Sequence, residues 1–214
     1  MSKITLALSI VIAIVGMVRF KKLTMPFKIL AIYLVYIPID IEASRIFIQK
    51  YHDNSPIVHI ETLVYFTLFS LIYYFLLKNK YIKKTILISI ISMALFAVVN
   101  AFYLQPYYNK IFPSYVMIPT VVLLASFSLL LFKQMLLYPV QVNIIKQSVF
   151  WYNTAILFFS TTMFLNFCLI NYYSEHNINN PIVFYFWSFI EIVLNLLLGI
   201  SILTDKKSTY ANGV

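Results

Sequence analysis

The feature that most constrains this chain is a series of apolar runs, each close to twenty residues long and separated by short polar stretches. A helix needs about 20 residues to cross the hydrocarbon core of a bilayer. The runs are unbroken, as in Thr85–Leu104, rather than alternating. A transmembrane β-barrel needs segments of roughly ten residues with in–out alternation, so the barrel is rejected. The chain is 62% hydrophobic and 11% charged. A soluble domain carries roughly 25% charge, and no soluble fold of this size hides so much apolar surface. The fold class expected is therefore all-α: a polytopic membrane bundle of seven transmembrane helices. They are expected at about 4–20, 28–50, 57–77, 85–104, 115–136, 148–171 and 182–204, forming one domain over 1–214 with no room for a separate soluble unit.

Charge then orients the chain. One set of connections holds Arg19, Lys21, Lys22, Lys28, Lys78, Lys80, Lys83, Lys84, Lys133, Lys146, Lys206 and Lys207; the other holds Lys3, Arg45, Lys50 and Lys110. Positive residues concentrate on the cytoplasmic side of short loops. The split of twelve against four places the N-terminus outside and the C-terminus in the cytoplasm. The same clustering accounts for the net charge of +9 without a nucleic-acid partner. The partner implied is the lipid bilayer. With three glycines in all, close helix packing is expected to rest on Ala, Ser and Thr. Cys168 lies in an apolar run and is expected to be a small core residue.

Polar residues inside the runs are where chemistry could live. An ionised side chain at mid-membrane costs about 2.5–3.5 kcal/mol on insertion scales. The second run holds Asp40, Glu42 and Arg45 within six positions. Glu42 and Arg45 are three apart and share a face, so they can pair. Asp40 is rotated away by about 200° and needs another partner. His59 and Glu61 open the third helix, and Glu191 is deep in the seventh. Ser188, Glu191, Asn195 and Gly199 form one stripe, suited to face other helices. These positions predict an outward-facing polar cavity lined by Asp40, Glu42, Arg45, His59, Glu61, Glu191 and Asn195, binding a small polar or cationic ligand or handling protons. The competing interpretation is a structural polar network near the headgroups, with long charged side chains snorkelling to the surface. Asn100, Asn153 and Asn166 are expected to bond between helices.

Several chemistries are set aside. His52, His59 and His176 sit at or beyond helix ends, where they cannot hold a haem between spans. No HExxH, Cys/His metal spacing, GxSxG elbow or glycine-rich phosphate loop occurs, and the last helix has no lysine for a Schiff base. No cofactor, metal or catalytic residue is expected, and a non-enzymatic role is favoured over an enzyme using carboxylates alone.

Three short segments carry a resemblance: Pro56-Ile57-Val58-His59-Ile60-Glu61, Ser148-Val149-Phe150-Trp151 and Phe184-Tyr185-Phe186-Trp187. Together with the topology they resemble a loose group of uncharacterised seven-helix membrane proteins of Bacteroidetes, frequently encoded next to sensor histidine kinases. That resemblance implies a sensing or signalling protein of a bacterial inner (cytoplasmic) membrane, with its output on a separate chain. A small transporter is the alternative. No internal repeat is visible, and Pro38 and Pro119 are not at matching positions of two halves. A membrane enzyme or structural subunit is the third.

Overall fold

The computed structural model describes residues 3–109, 112–138, 143–176 and 181–205. Those residues form seven α-helices: α1 Lys3–Arg19, α2 Met25–Tyr51, α3 Ser55–Leu76, α4 Lys80–Val99, α5 Ser114–Leu137, α6 Ser148–Glu175 and α7 Pro181–Thr204. Six are long and apolar enough to cross a membrane; α2 is the exception. It carries Lys28, Asp40, Glu42, Arg45 and Lys50. Even so, α2 is built into the bundle, burying Phe27, Leu30, Ala31, Tyr33 and Leu34.

The helix boundaries shift where local hydrogen bonding outweighs hydropathy. The segment expected as a basic turn, Lys78–Lys84, is mostly helix. Asn79 caps α4, its side chain accepting from the backbone N–H of Tyr81 at 2.8 Å and of Ile82 at 3.4 Å. Such a cap satisfies orphan donors of the first turn, so lysines can follow it. At its far end α4 passes into a π-helical turn over Asn100–Leu104, where Gln105 N–H donates to the Asn100 carbonyl at 2.9 Å. α2 begins at Met25, with Pro26 in its first turn, and closes at His52, whose φ of 53° gives a left-handed cap. α6 runs on to Glu175, past the end expected at 171.

Consecutive helices pack side by side within the first half, α1 on α2, α2 on α3 and α3 on α4, and again as α5 on α6 and α6 on α7. α7 closes the bundle against α1 and touches α2, while α3 also packs on α5. The inward faces follow helical periodicity. On α7, Ile190, Leu194, Leu198 and Ile202 are buried, whereas Phe189, Leu196 and Leu203 are exposed. With one face packed and the other apolar and exposed, the helices suit a lipid surround. α1 threads closely between its neighbours: a Cβ built on Gly16 would meet Ala31, and one on Gly199 would meet Ile12, both at 3.4 Å. Glycine thus contributes to two crossings despite its rarity. Cys168 is exposed rather than a core residue, because α6 turns Phe167 inward and its neighbour outward.

Two buried polar clasps hold the bundle. In the middle, Tyr73 OH donates to Asn153 Oδ1 at 3.0 Å, Asn153 Nδ2 donates to the Ser128 carbonyl at 3.0 Å, and Ser128 Oγ donates to the Asn153 carbonyl at 3.1 Å. Tyr152 OH adds a bond to the Phe69 carbonyl at 3.3 Å. This clasp joins α3, α5 and α6, and Asn153 fulfils its expected interhelical role. Asn166 instead donates to Met163 in its own helix, and neither amide atom of Asn100 has a partner among the described residues.

The second clasp is Asp205, just beyond α7. Its carboxylate accepts from Thr24 N–H at 2.8 Å, from Thr24 Oγ1 at 3.2 Å and from Ser148 Oγ at 3.2 Å, and Arg19 donates to its carbonyl at 2.9 Å. The ends of α1, α2, α6 and α7 therefore meet on one residue, which is 1% exposed. Burial pushes this carboxyl up, opposed by the donors on Thr24 and Ser148 and by the charge of Arg19.

Leaving a buried polar group without its partner costs about 1–3 kcal/mol. Asn153→Ala and Asp205→Ala are each expected to lower stability by about that amount, measured as loss of Tm in detergent. Ser126→Ala, which removes only a bond to Val122 of the same helix, serves as the neutral control. An unchanged Tm in Asn153→Ala would remove the central clasp as a stabilising element.

Candidate functional site

Near the end of the bundle that carries the α2–α3 turn, three carboxylates converge from three helices. Asp40 lies eleven residues before the end of α2, Glu61 six residues into α3 and Glu191 ten residues into α7. At 1.5 Å per residue these are depths of roughly 9–17 Å. α2 packs against α3 and also touches α7. Glu61 is an electrostatic neighbour of both Asp40 and Glu191, and Tyr33 is an electrostatic neighbour of all three.

Each acid has an aromatic residue one helical turn away. Tyr36 OH donates to Asp40 Oδ1 at 2.7 Å, and Trp187 Nε1 donates to Glu191 Oε1 at 2.7 Å. Tyr65 stands four residues after Glu61. Residues four apart share a helix face, so acid and ring point the same way. The rings form two layers. One, deeper in the bundle, packs Tyr33 on Tyr65 at 6.1 Å, Tyr33 on Phe69 at 4.5 Å and Tyr65 on Phe159 at 5.6 Å. The other, nearer the helix ends, packs Trp187 on Phe167 at 5.5 Å and on Phe112 at 6.1 Å.

No Lys or Arg side chain among the described residues forms an ion pair with these three acids. Among the described residues the one ion pair is Arg45 with Glu42, at 3.3 Å. That pair forms as its spacing predicts, but on an exposed face, which draws both residues away from the three acids. Asp40, expected to seek a partner on another helix, finds its hydrogen-bond donor on its own helix, at Tyr36. Asn195 is part of the site, its Nδ2 donating to the Glu191 carbonyl at 2.9 Å. His59 is buried but lies against the Gln105 backbone. It borders a separate network in which Gln105 Nε2 donates to Ser114 Oγ at 2.9 Å, Asn171 Nδ2 donates to Ser114 Oγ at 2.8 Å, and Tyr115 N–H donates to Gln105 Oε1 at 3.0 Å. Of the seven expected residues, Asp40, Glu61, Glu191 and Asn195 are brought together; His59, Glu42 and Arg45 are not.

The site also holds polar atoms with nothing to bond. Among the described residues Glu191 Oε2 and Asn195 Oδ1 are buried without a hydrogen-bond partner, while the Tyr65 hydroxyl has Ser160 beside it. Buried polar atoms are nearly always satisfied by protein, water or a ligand. The acids are not arranged as a metal cage. Among the described residues no three His, Cys, Asp or Glu side chains come close enough to hold one ion. The cluster is thus acidic and holds acceptors without partners among the described residues. Sequence reasoning missed Tyr33, Tyr36, Tyr65 and Trp187. The available signal was the four-residue spacing of ring and acid in Tyr36/Asp40, Glu61/Tyr65 and Trp187/Glu191. Comparison with protein-family models, with curated proteins and with solved structures finds no match to this chain.

Proposed function

We propose that this chain is a seven-span receptor-type protein of a bacterial cytoplasmic membrane, with its N-terminus outside and an acidic site open toward the outer side that binds a small cation. The observation carrying this reading is that Glu61 is an electrostatic neighbour of both Asp40 and Glu191 and that none of the three forms an ion pair with a Lys or Arg side chain among the described residues. Three ionised groups at that depth cost about 9 kcal/mol in lipid if nothing compensates them. A bound cation or protons supply the missing charge.

Signal transmission follows from where α2 is held. Its first turn is clasped to Asp205 through Thr24, while Pro38 lies two residues before Asp40. Proline removes one helical hydrogen bond and weakens the helix at that point. A cation shared by Asp40 on α2 and Glu191 on α7 draws the outer part of α2 toward α7 about Pro38. The movement reaches the basic face through the Asp205 clasp, where a separate signalling protein receives it. A ligand shifts such an equilibrium only by its differential affinity for the two arrangements, and an unneutralised acid cluster provides a large differential.

A transporter is the second reading, favoured by the packing pattern. α1–α2 and α2–α3 recur as α5–α6 and α6–α7, and the α1–α7 contact exchanges with α5–α3. A twofold relation between the first and last three helices generates this pattern, and α4 departs from it by packing on α3 and α5.

Trp187, bonded to Glu191, is a built-in reporter. The chain has one other tryptophan, Trp151, which bonds the Ile145 carbonyl at the opposite end. In a Trp151→Phe protein in nanodiscs, titration with Na+, ammonium and tetramethylammonium is expected to give a saturable change in Trp187 emission with at least one of them. Glu191→Gln abolishes it. No saturable change with any of the three overturns the cation-binding reading. Sealed proteoliposomes then separate receptor from transporter: binding without flux supports the receptor, and flux abolished by Glu191→Gln supports transport.

Orientation is tested in a Cys168→Ala background with a membrane-impermeant maleimide on intact cells. Lys50→Cys is expected to label at once, and Lys146→Cys only after the cells are opened. The reverse pattern inverts the proposed topology.

A further inference from the structure

We infer that the α3–α4 turn and the start of α4 bind an anionic phospholipid: Lys78, Lys80 and Lys84 take the phosphate of its headgroup, and the exposed apolar face of α4 takes its acyl chains. This surface is separate from the acid cluster and does not depend on the cation reading.

The first reason is concentrated charge with no acid to meet it. Lys78, Lys80, Lys83 and Lys84 fall within seven residues, and no Asp or Glu occurs between Glu61 and Glu175. Among the described residues the one ion pair is Arg45 with Glu42, on α2. Asp205 is engaged by Thr24 and Ser148. Lys80 and Lys84 are four apart on one helix, a spacing at which like charges repel. They also stand at the positive end of α4, where cations are disfavoured. Asn79 already occupies the backbone donors of Tyr81 and Ile82, so the charge on offer is that of the lysine side chains.

The second is that the turn is held in place. Gln134, near the end of α5, accepts from the Lys78 N–H at 2.8 Å and donates to the Leu76 carbonyl at 3.0 Å. The turn is thereby tied to a second helix. Lys83 Nζ lies over the Tyr74 ring at 5.2 Å, which fastens the start of α4 to α3. A backbone ordered in advance lowers the entropy lost when its side chains gather around one anion.

The third is continuity with a surface for acyl chains. Tyr81, Lys84, Ile88, Ile91 and Leu95 recur at spacings of three and four and so share one face of α4. All five are exposed. From Lys84 to Leu95 this face runs roughly 16 Å, about the hydrocarbon depth of one leaflet. A charged head above an apolar stripe of that length matches a phospholipid from end to end. An acidic protein segment would match the lysines alone.

The test uses the full chain in nanodiscs of equal parts phosphatidylglycerol and phosphatidylcholine. Native mass spectrometry reads which lipid stays bound on release. Phosphatidylglycerol is expected to exceed phosphatidylcholine about fivefold, the fold-change of one lysine's attraction to an anionic surface. The triple variant Lys78→Gln, Lys80→Gln, Lys84→Gln is expected to bring the ratio close to one. A second triple, Lys21→Gln, Lys22→Gln, Lys28→Gln, removes the same charge from the start of the chain's α1–α2 side and is expected to stay within about twofold of the parent. Size-exclusion behaviour and Tm establish that both are folded; Lys84→Gln alone, with a fall in the ratio, carries the test if the first triple does not fold. Equal retention of the two lipids overturns the proposal and leaves the lysines to an acidic protein. Equal loss of preference in the two triples overturns it in favour of diffuse surface charge. In nanodiscs of phosphatidylcholine alone, inorganic phosphate that raises Tm as far as phosphatidylglycerol does assigns the lysines to a soluble anion and likewise overturns it.

Discussion

The structure depends on one constraint: within an apolar bundle every polar group needs a partner supplied by the chain itself or by something bound to it. The two clasps show the constraint met. Asn153 uses donor and acceptor atoms at once, so three helices share one amide. Asp205 is surrounded by donors from the starts of α2 and α6, where the exposed N–H groups of a helix also favour a negative charge. The acid cluster shows the constraint unmet. It has the same burial pressure, but its donors are a phenol and an indole, which satisfy single oxygens and bring no positive charge. Both carboxylate oxygens of Asp205 accept hydrogen bonds, whereas Glu191 Oε2 has none among the described residues.

That contrast separates structural from functional polar residues better than depth alone. Glu42 and Arg45 are as anomalous in the sequence as Asp40, but they answer each other on an exposed face. Exposed pairs of this kind contribute about 0.2–1 kcal/mol and report little beyond local comfort. His59 is buried, yet it faces the Gln105–Ser114–Asn171 network that ties together the helix ends at the α2–α3 side.

The helices were legible because about twenty apolar residues in a row admit few other structures. Their ends were less so. Asn79 starts α4 by a two-bond cap, and nothing in hydropathy marks it against the lysines that follow. The acids were legible because charge is rare in such runs. Their true surroundings were not, since they depend on which helices touch: α2 meets α7, and that pairing across the whole length of the chain has no local signature. Asp205 was overlooked for the same reason. It reads as the first polar residue of a tail, and only packing shows it under Thr24, Arg19 and Ser148. Cys168 was misplaced because an apolar run is apolar on every side, so composition cannot tell the inward face from the lipid-facing one.

The position of Pro38 connects the stable and unstable parts of the bundle. Below it, α2 is anchored by Phe27, Leu30 and Leu34, all at 0% exposure, and by the Asp205 clasp. Above it lie Asp40 and the exposed Glu42–Arg45 turn, with few fully buried residues beyond Ile41. Local stability follows contact density, so motion concentrates in the less buried segment. The acid contributed by α2 is therefore on the mobile side of the break, and those of α3 and α7 are on helices packed along their length. On the proposed reading, a cation held there would act first on the outer part of α2, the less tightly packed of the segments that carry the acids.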